Sequence, residues 1–227
     1  MSSDIQQALY QQFSRIGKAI ANEHRLRLID LLAQGERSVS ALAEAADLSV
    51  ANASQHLQVL HQARLVETRK EGTSVLYRLA SDSVLQLWQA LREVGVQRLA
   101  EINRIMEDYA HDKEALRPIG MEELRDRMET GSVEVIDVRP EEEYESGHIA
   151  GARSVPLEEL EEHIEQLPDD TEIVAYCRGP YCVLSSEAVQ KLRENGRVAH
   201  RLDFGYPEWE AADLPTDAEA NGTSASA

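Results

Sequence analysis

SVSALAEAADLSVANASQHLQVLHQARLVETRKEGTSVLYRL, residues 38–79, contains two helical periods joined by a short turn and followed by an alternating stretch. Ser38 starts a helix through Ala45, with Leu42 facing inward and the small Ala43 allowing close helix approach. Ala46, Asp47 and Leu48 make a tight connection, and Ser49 is an N-cap for a helix over 50–62 with Ala53, Leu57 and Leu60 on one side. The period then changes from helical to alternating: Val75 and Tyr77 alternate with polar neighbours around Glu71-Gly72, which predicts a two-stranded hairpin. Upstream, Ile5, Leu9, Phe13, Ile16 and Ile20 predict a helix over 4–21, and a second apolar helix around Leu26–Leu32 stops at Gly35. Downstream, Ser81 or Asp82 caps a long helix to about Tyr109 whose stripe includes Leu87, Leu91, Val94, Leu99 and Ile105. That stripe either lies over its own core or pairs with the first helix and its copies in a homodimer.

Helix, turn, helix and basic hairpin is the layout of a winged helix-turn-helix, whose second helix enters the major groove while the hairpin touches the backbone. The outer side of helix 50–62 offers Asn52, Gln55, His56 and Gln58, of which Asn and Gln suit bidentate bonds to base edges. Ser49 and Ser54 suit phosphate or sugar, and Arg69, Lys70 and Arg78 give the wing its cations. The expected partner is double-stranded operator DNA. A net charge of -18 over 227 residues argues against such a partner if it is spread evenly. It is not: residues 1–82 carry nine Lys/Arg and nine Asp/Glu, against fourteen and thirty-two in 83–227.

The composition, 42% hydrophobic and 28% charged, supports buried cores, and no stretch has the length and hydropathy of a membrane span. Without a signal-like start, and with two cysteines only, a reducing cytoplasm is the expected location. The division expected is 1–110 for DNA binding and dimerisation, a polar linker 111–119 containing Pro118, a second domain 120–215 and a disordered tail 216–227. In the second domain, strands at 133–138, 172–176 and 198–202 alternate with helices at 121–128, 157–167 and 185–195, which predicts an α/β domain with a parallel sheet covered on both faces.

AYCRGPYCVLS, 175–185, puts Cys177 after a buried strand and before a helix, where backbone N–H groups and the helix N-terminus favour a thiolate. Arg178 adds positive charge and Gly179 permits a tight backbone. A phosphatase-like Cys-x5-Arg loop needs Arg where Val183 stands, and a metal site on Cys177 and Cys182 has no tight motif among His148, His163 and His200. No metal and no cofactor is expected. Cys182 is either a resolving thiol for Cys177 or a small residue opening the helix.

Over roughly 10–98 the chain resembles the ArsR/SmtB family of bacterial repressors, on ANEHRLRLIDLLAQGERSVSALAEAADLSVANASQHLQVLHQARLVETRKEGTSVLYRL. The resemblance implies homodimers that bind palindromic operators and leave when an effector arrives. GERSVSAL lacks the cysteines that the best-known metal sensors of the family place there, and no His occurs from 82 to 110. Over about 118–215 the chain resembles the rhodanese family of sulfurtransferases, on EVIDVRPEEEYESGHIAGARSVPL, VAYCRGPYCVLSSEAVQKLRENG and LDFGYPEW, with Phe204 where a glycine is common. This implies that Cys177 accepts a sulfane sulfur to become a persulfide, with the amides of 178–182 holding the charged group. Asp137 and Arg139 match the family's charged pair, either as an ion pair stiffening the sheet or in the chemistry itself.

The expectation is a transcriptional regulator, a repressor, whose second domain senses or transfers sulfane sulfur between a donor or acceptor and Cys177. Modification there is expected to alter the spacing of two recognition helices, which must match one DNA turn of about 34 Å. The alternatives are an active thiosulfate-type sulfurtransferase that controls its own operon, and a rhodanese fold kept only for protein interaction.

Overall fold

In a computed structural model, which describes residues 2–109, 118–168 and 170–218, the chain divides into two units, Met1–Gly95 and Val96–Ala227. No helix among the described residues is long and apolar enough to cross a membrane.

The first unit begins with α1 (Ser2–Ile20) and α2 (Glu23–Leu32), the latter capped by the Asn22 side chain. A two-residue strand, β1 (Arg37–Ser38), leads into α3 (Val39–Ala45), and α4 covers Val50–Gln62. Ser38 and Ser49 cap α3 and α4, each accepting 3.2 Å from the backbone N–H three residues on. Asp47, with a φ of 53°, turns the chain between them, and the Leu48 N–H bonds Ala43 O. An aspartate tolerates that left-handed conformation because its short side chain can bond locally. The hairpin β2 (Val66–Glu71) and β3 (Ser74–Leu79) turns at Gly72, φ 57°, and β1 pairs antiparallel with β3. Leu28, Ile29, Leu31, Leu32, Leu42, Leu57, Leu60 and Leu65 form the core beneath α2, α3 and α4.

The long helix expected from 82 to 109 is two, α5 (Asp82–Arg98) and α6 (Ala100–Tyr109). The interruption at Leu99 falls one turn after Gly95, the poorest helix former of the stretch.

In the second unit α7 (Met121–Glu129) precedes β4 (Val133–Asp137), and α8 (Glu141–Ser146) is followed by the short β5 (His148–Ile149) and β6 (Arg153–Ser154). Next come α9 (Leu160–His163) with a 3-10 turn to Gln166, β7 (Glu172–Tyr176), α10 (Val183–Glu194) and β8 (Ala199–Arg201). The helix read at 157–167 is thus much shorter. Its glutamates 158, 159, 161, 162 and 165 set like charges at helical spacing, which disfavours a full helix.

The sheet is parallel in the order β6-β4-β7-β8. Strand side chains alternate between two cores: Ile136, Ile173 and Ala175 join α10 on one face, while Val135, Val174 and Tyr176 join Leu124 of α7 and Trp209 on the other. α11 (Tyr206–Ala211) follows, and β9 (Thr216–Asp217) ends the described chain's elements.

Two expected boundaries differ. Ile119, read as linker, is bridged to Leu202 and exchanges backbone bonds with Arg201 and Asp203, so it lies along the sheet. Residues 110–117 of that linker lie outside the described residues. Thr216 and Asp217, read as disordered tail, pair antiparallel with Ile149 and His148. Pro215 O, which accepts from Ala150 N and from Trp209 Nε1, delivers them to that edge. A composition rich in Ala, Ser and Asp does not reveal a pairing supplied by backbone groups. Residues 219–227 of the tail lie outside the described residues.

Candidate functional sites: a helix and wing, and a two-cysteine loop

The outer side of α4 keeps Gln55 and Gln58 exposed, with Asn52, Ser54 and His56 half-buried. Ser49 is committed as a cap through its Oγ. His56 lies against His24 of α2, ring centroids 5.3 Å apart. Burial, and after it the charge of Arg25 and the neighbouring His24, holds the His56 imidazole below its ordinary value. A lowered pKa favours the uncharged, hydrogen-bonding form of the imidazole over the cation at neutral pH. Val50, 52% exposed at the start of the helix, was not singled out by its residue type. An exposed apolar group there can touch a thymine methyl.

The wing is less cationic than its arginines suggest. Arg69 bonds Glu36 at 2.7 Å and Glu71 at 3.0 Å, while Arg78 bonds Glu67 at 2.9 Å. Glu36, and then Glu71, raise the Arg69 pKa further. Such exposed pairs are weak in water, so phosphates can replace the glutamates. Lys70 is exposed in β2 opposite Val75. Ser49→Ala is expected to cost about 1 kcal/mol of stability. A fall in the urea midpoint, together with weaker DNA binding, checks the role of that cap.

The second site grows from the sheet order. From β4 the chain moves to β6 on one side, and from β7 to β8 on the other, so the connections diverge between the adjacent β4 and β7. A crevice at the carboxyl ends of such a strand pair is where open α/β sheets bind ligands. Asp137 pairs with Tyr176 at those ends, and Cys177 is the next residue.

Cys177 is buried, and its sulfur is bonded to that of Cys182, Cα–Cα 6.4 Å at a sequence separation of 5. The bridge closes only the loop between β7 and α10 and ties together no distant elements. The loop folds back on itself to bring the two sulfurs together. Gly179, φ 158°, makes the fold-back, and the Cys182 N–H donates to Gly179 O at 3.1 Å. That amide is therefore used inside the loop rather than offered to an anion. Cys182 is the N-cap of α10, with no side-chain capping bond.

Arg178 points its guanidinium at Glu143 of α8, with bonds of 3.0, 3.0 and 2.6 Å. Glu143 is fully buried. The positive charge expected to activate Cys177 is thus matched by a carboxylate that residue type alone did not single out among Glu141, Glu142 and Glu143. Arg201 of β8 reaches the same loop, donating Nη1 to Pro180 O at 3.4 Å.

Asp137 and Arg139 are both fully buried and paired, with Nε 3.0 Å from each carboxylate oxygen. Arg139 Nη2 also donates to Gly147 O at 2.7 Å, and its guanidinium lies over Tyr206 and Tyr176 at 4.9 and 5.6 Å. Burial works most strongly against the Arg139 charge, but Asp137, with Tyr176 and Glu143 behind it, holds the pKa above its ordinary value. The pair joins β4, the α8–β5 turn and α11 into one frame below Cys177. Gly205 closes that frame from the other side: a Cβ there would stand 2.4 Å from Arg178 C and Gly179 N. No group of three or more His, Cys, Asp or Glu among the described residues is placed to hold a metal ion.

Residues 22–68 match the bacterial regulatory protein model of the arsR family, and residues 120–212 match the rhodanese-like domain model. The HTH-type transcriptional regulator Rv0324 of Mycobacterium tuberculosis is 45% identical over 215 residues, covering 95% of this chain and 94% of that one. The uncharacterized protein YqhL of Bacillus subtilis is 32% identical over 102 residues, 44% of this chain and 78% of its own. Among solved structures, the homodimeric winged helix-turn-helix DNA-binding domain Mb0332 (fragment 1-100) of Mycobacterium bovis is 45% identical, covers 41% of this chain and 86% of its own, and has a TM-score of 0.40. A relative this similar over nearly the whole of both chains, together with this chain's matches to both domain models, makes this chain a member of the ArsR family of bacterial transcriptional regulators that carries a rhodanese-like domain.

Proposed function

We propose that this regulator is a homodimeric repressor that binds operator DNA through residues 1–110 and receives sulfane sulfur on Cys177 in residues 120–215, and that sulfur loading changes its hold on DNA. The observation that carries the reading is the position of Cys177. It sits at the carboxyl end of β7, at the point where the sheet connections diverge, in the same chain as a winged helix. Asn52, Gln55 and Gln58 read base edges, while Ser54, Arg69, Lys70 and Arg78 meet the backbone. Ile5, Leu9 and Phe13 of α1, with Leu91 and Val94 of α5, expose apolar surface that a second copy covers.

The test compares reduced wild type and Cys177→Ser on operator fragments selected from random duplex DNA, each with and without inorganic polysulfide, while mass spectrometry follows the thiols. Wild type is expected to react at Cys177, read as a change in the mass of its thiol-bearing peptide, and to change its affinity, and Cys177→Ser to do neither. An equal response of both proteins sinks the reading. Steady turnover with thiosulfate and cyanide at unchanged DNA affinity makes the chain an enzyme first.

A further inference from the structure

We propose that Cys177 and Cys182 form one two-thiol centre that consumes a persulfide donor and ends as their internal disulfide, and that thiosulfate is not its substrate. This rests on the reading of Cys177 as the sulfur acceptor and specifies its donor and its end state.

Three observations converge. The two sulfurs are bonded within one loop, and Cys182 packs against the same core as Cys177, so no element has to move to bring them together. The cation next to Cys177 in sequence is spent: Arg178 is closed on the buried Glu143 by three hydrogen bonds. Thiosulfate is a dianion whose sulfonate end needs charge-assisted donors, and here a thiol occupies the last position of the loop. Finally, two large side chains beside Cys182, Tyr181 and Val183, are each more than a third exposed and offer apolar surface next to the loop's end. A small organic persulfide fits such a surface and brings a thiol leaving group.

The steps balance. The Cys177 thiolate attacks the outer sulfur of the donor RS–SH, forming Cys177–S–SH and releasing RS⁻. The Cys182 thiolate then attacks Cys177 Sγ, forming the disulfide and expelling HS⁻. Two thiols are oxidised and one sulfane sulfur is reduced to sulfide; with protons counted, two protein thiols and RSSH give the disulfide, RSH and H2S. An external dithiol returns the centre to its starting state.

The experiment treats the reduced full-length chain with cysteine hydropersulfide or with sodium thiosulfate, measuring intact mass and released sulfide. With the persulfide, wild type is expected to lose two hydrogens in mass and release one sulfide per chain. Cys182→Ser and Cys182→Ala are expected to keep one added sulfur atom and to release none, and thiosulfate is expected to leave wild type unchanged. Unaltered circular dichroism of both variants shows that they fold. Sulfide release by the Cys182 variants equal to that of wild type, or loading by thiosulfate, overturns the proposal. A stable persulfide on wild-type Cys177 that still alters DNA binding overturns the two-thiol centre and leaves sulfur sensing standing. No sulfur on Cys177 in any protein overturns both.

Discussion

Asp137→Ala is expected to lower the stability of the second unit by about 3–5 kcal/mol, because it removes the carboxylate paired with the Arg139 guanidinium in a site with no exposure to water. The hydrogen bond to the Gly147 carbonyl and the weak attraction of the Tyr206 and Tyr176 faces do not replace a lost bidentate carboxylate. Asp137→Leu combined with Arg139→Met removes both charges at similar volume and is expected to cost much less than the single change. Urea unfolding followed by tryptophan fluorescence distinguishes the two. The chain has two tryptophans, so Trp88→Phe as background leaves the buried Trp209 as reporter of the second unit. A single variant as stable as its parent would show that the pair is not a structural frame.

Gly205→Ala is expected to abolish sulfur uptake at Cys177 while costing about 1–3 kcal/mol of stability, the usual range for overpacking. The φ of Gly205 is -122°, which any residue adopts, so the effect is purely steric. The added methyl would stand 2.4 Å from Arg178 C and Gly179 N and 2.6 Å from Arg178 O, all main-chain atoms that no side-chain rotation can clear. The cysteine loop must therefore shift, and with it the hydrogen bond from Tyr206 N to Cys177 O. Gly120→Ala is a suitable control, since its methyl would meet nothing nearer than Asp203 Oδ2 at 4.0 Å. Equal uptake rates for the two alanine variants, measured by mass spectrometry, would overturn this account.

Features governed by local chemistry were legible in the sequence. The N-caps Ser38 and Ser49, the turn at Gly72 and the buried strand Glu172–Tyr176 stand where spacing and residue type put them. Features that depend on partners distant in sequence were not. Which of three consecutive glutamates is buried is decided by Arg178, 35 residues away. The pairing of Arg69 with Glu36 joins positions 33 apart, and β1 exists because Arg37 and Ser38 meet Tyr77 and Leu76. Composition likewise could not show that Thr216 and Asp217 have strand partners. At the two-cysteine loop the place of Cys177 directly after a buried strand was legible, while the charge balance around it was not.

The alternation of β7 bears on how this domain can diverge over evolution. Tyr176 places its hydroxyl oxygen to accept from the Ile149 N–H at 3.1 Å on one face of the sheet, and the next residue, Cys177, belongs to the core on the other. Replacing one side chain perturbs one face. Inserting or deleting a single residue in the strand exchanges the faces, burying the thiol where the phenol was and turning the phenol towards α10. Related chains are therefore expected to vary in the residues of this strand but to keep its length.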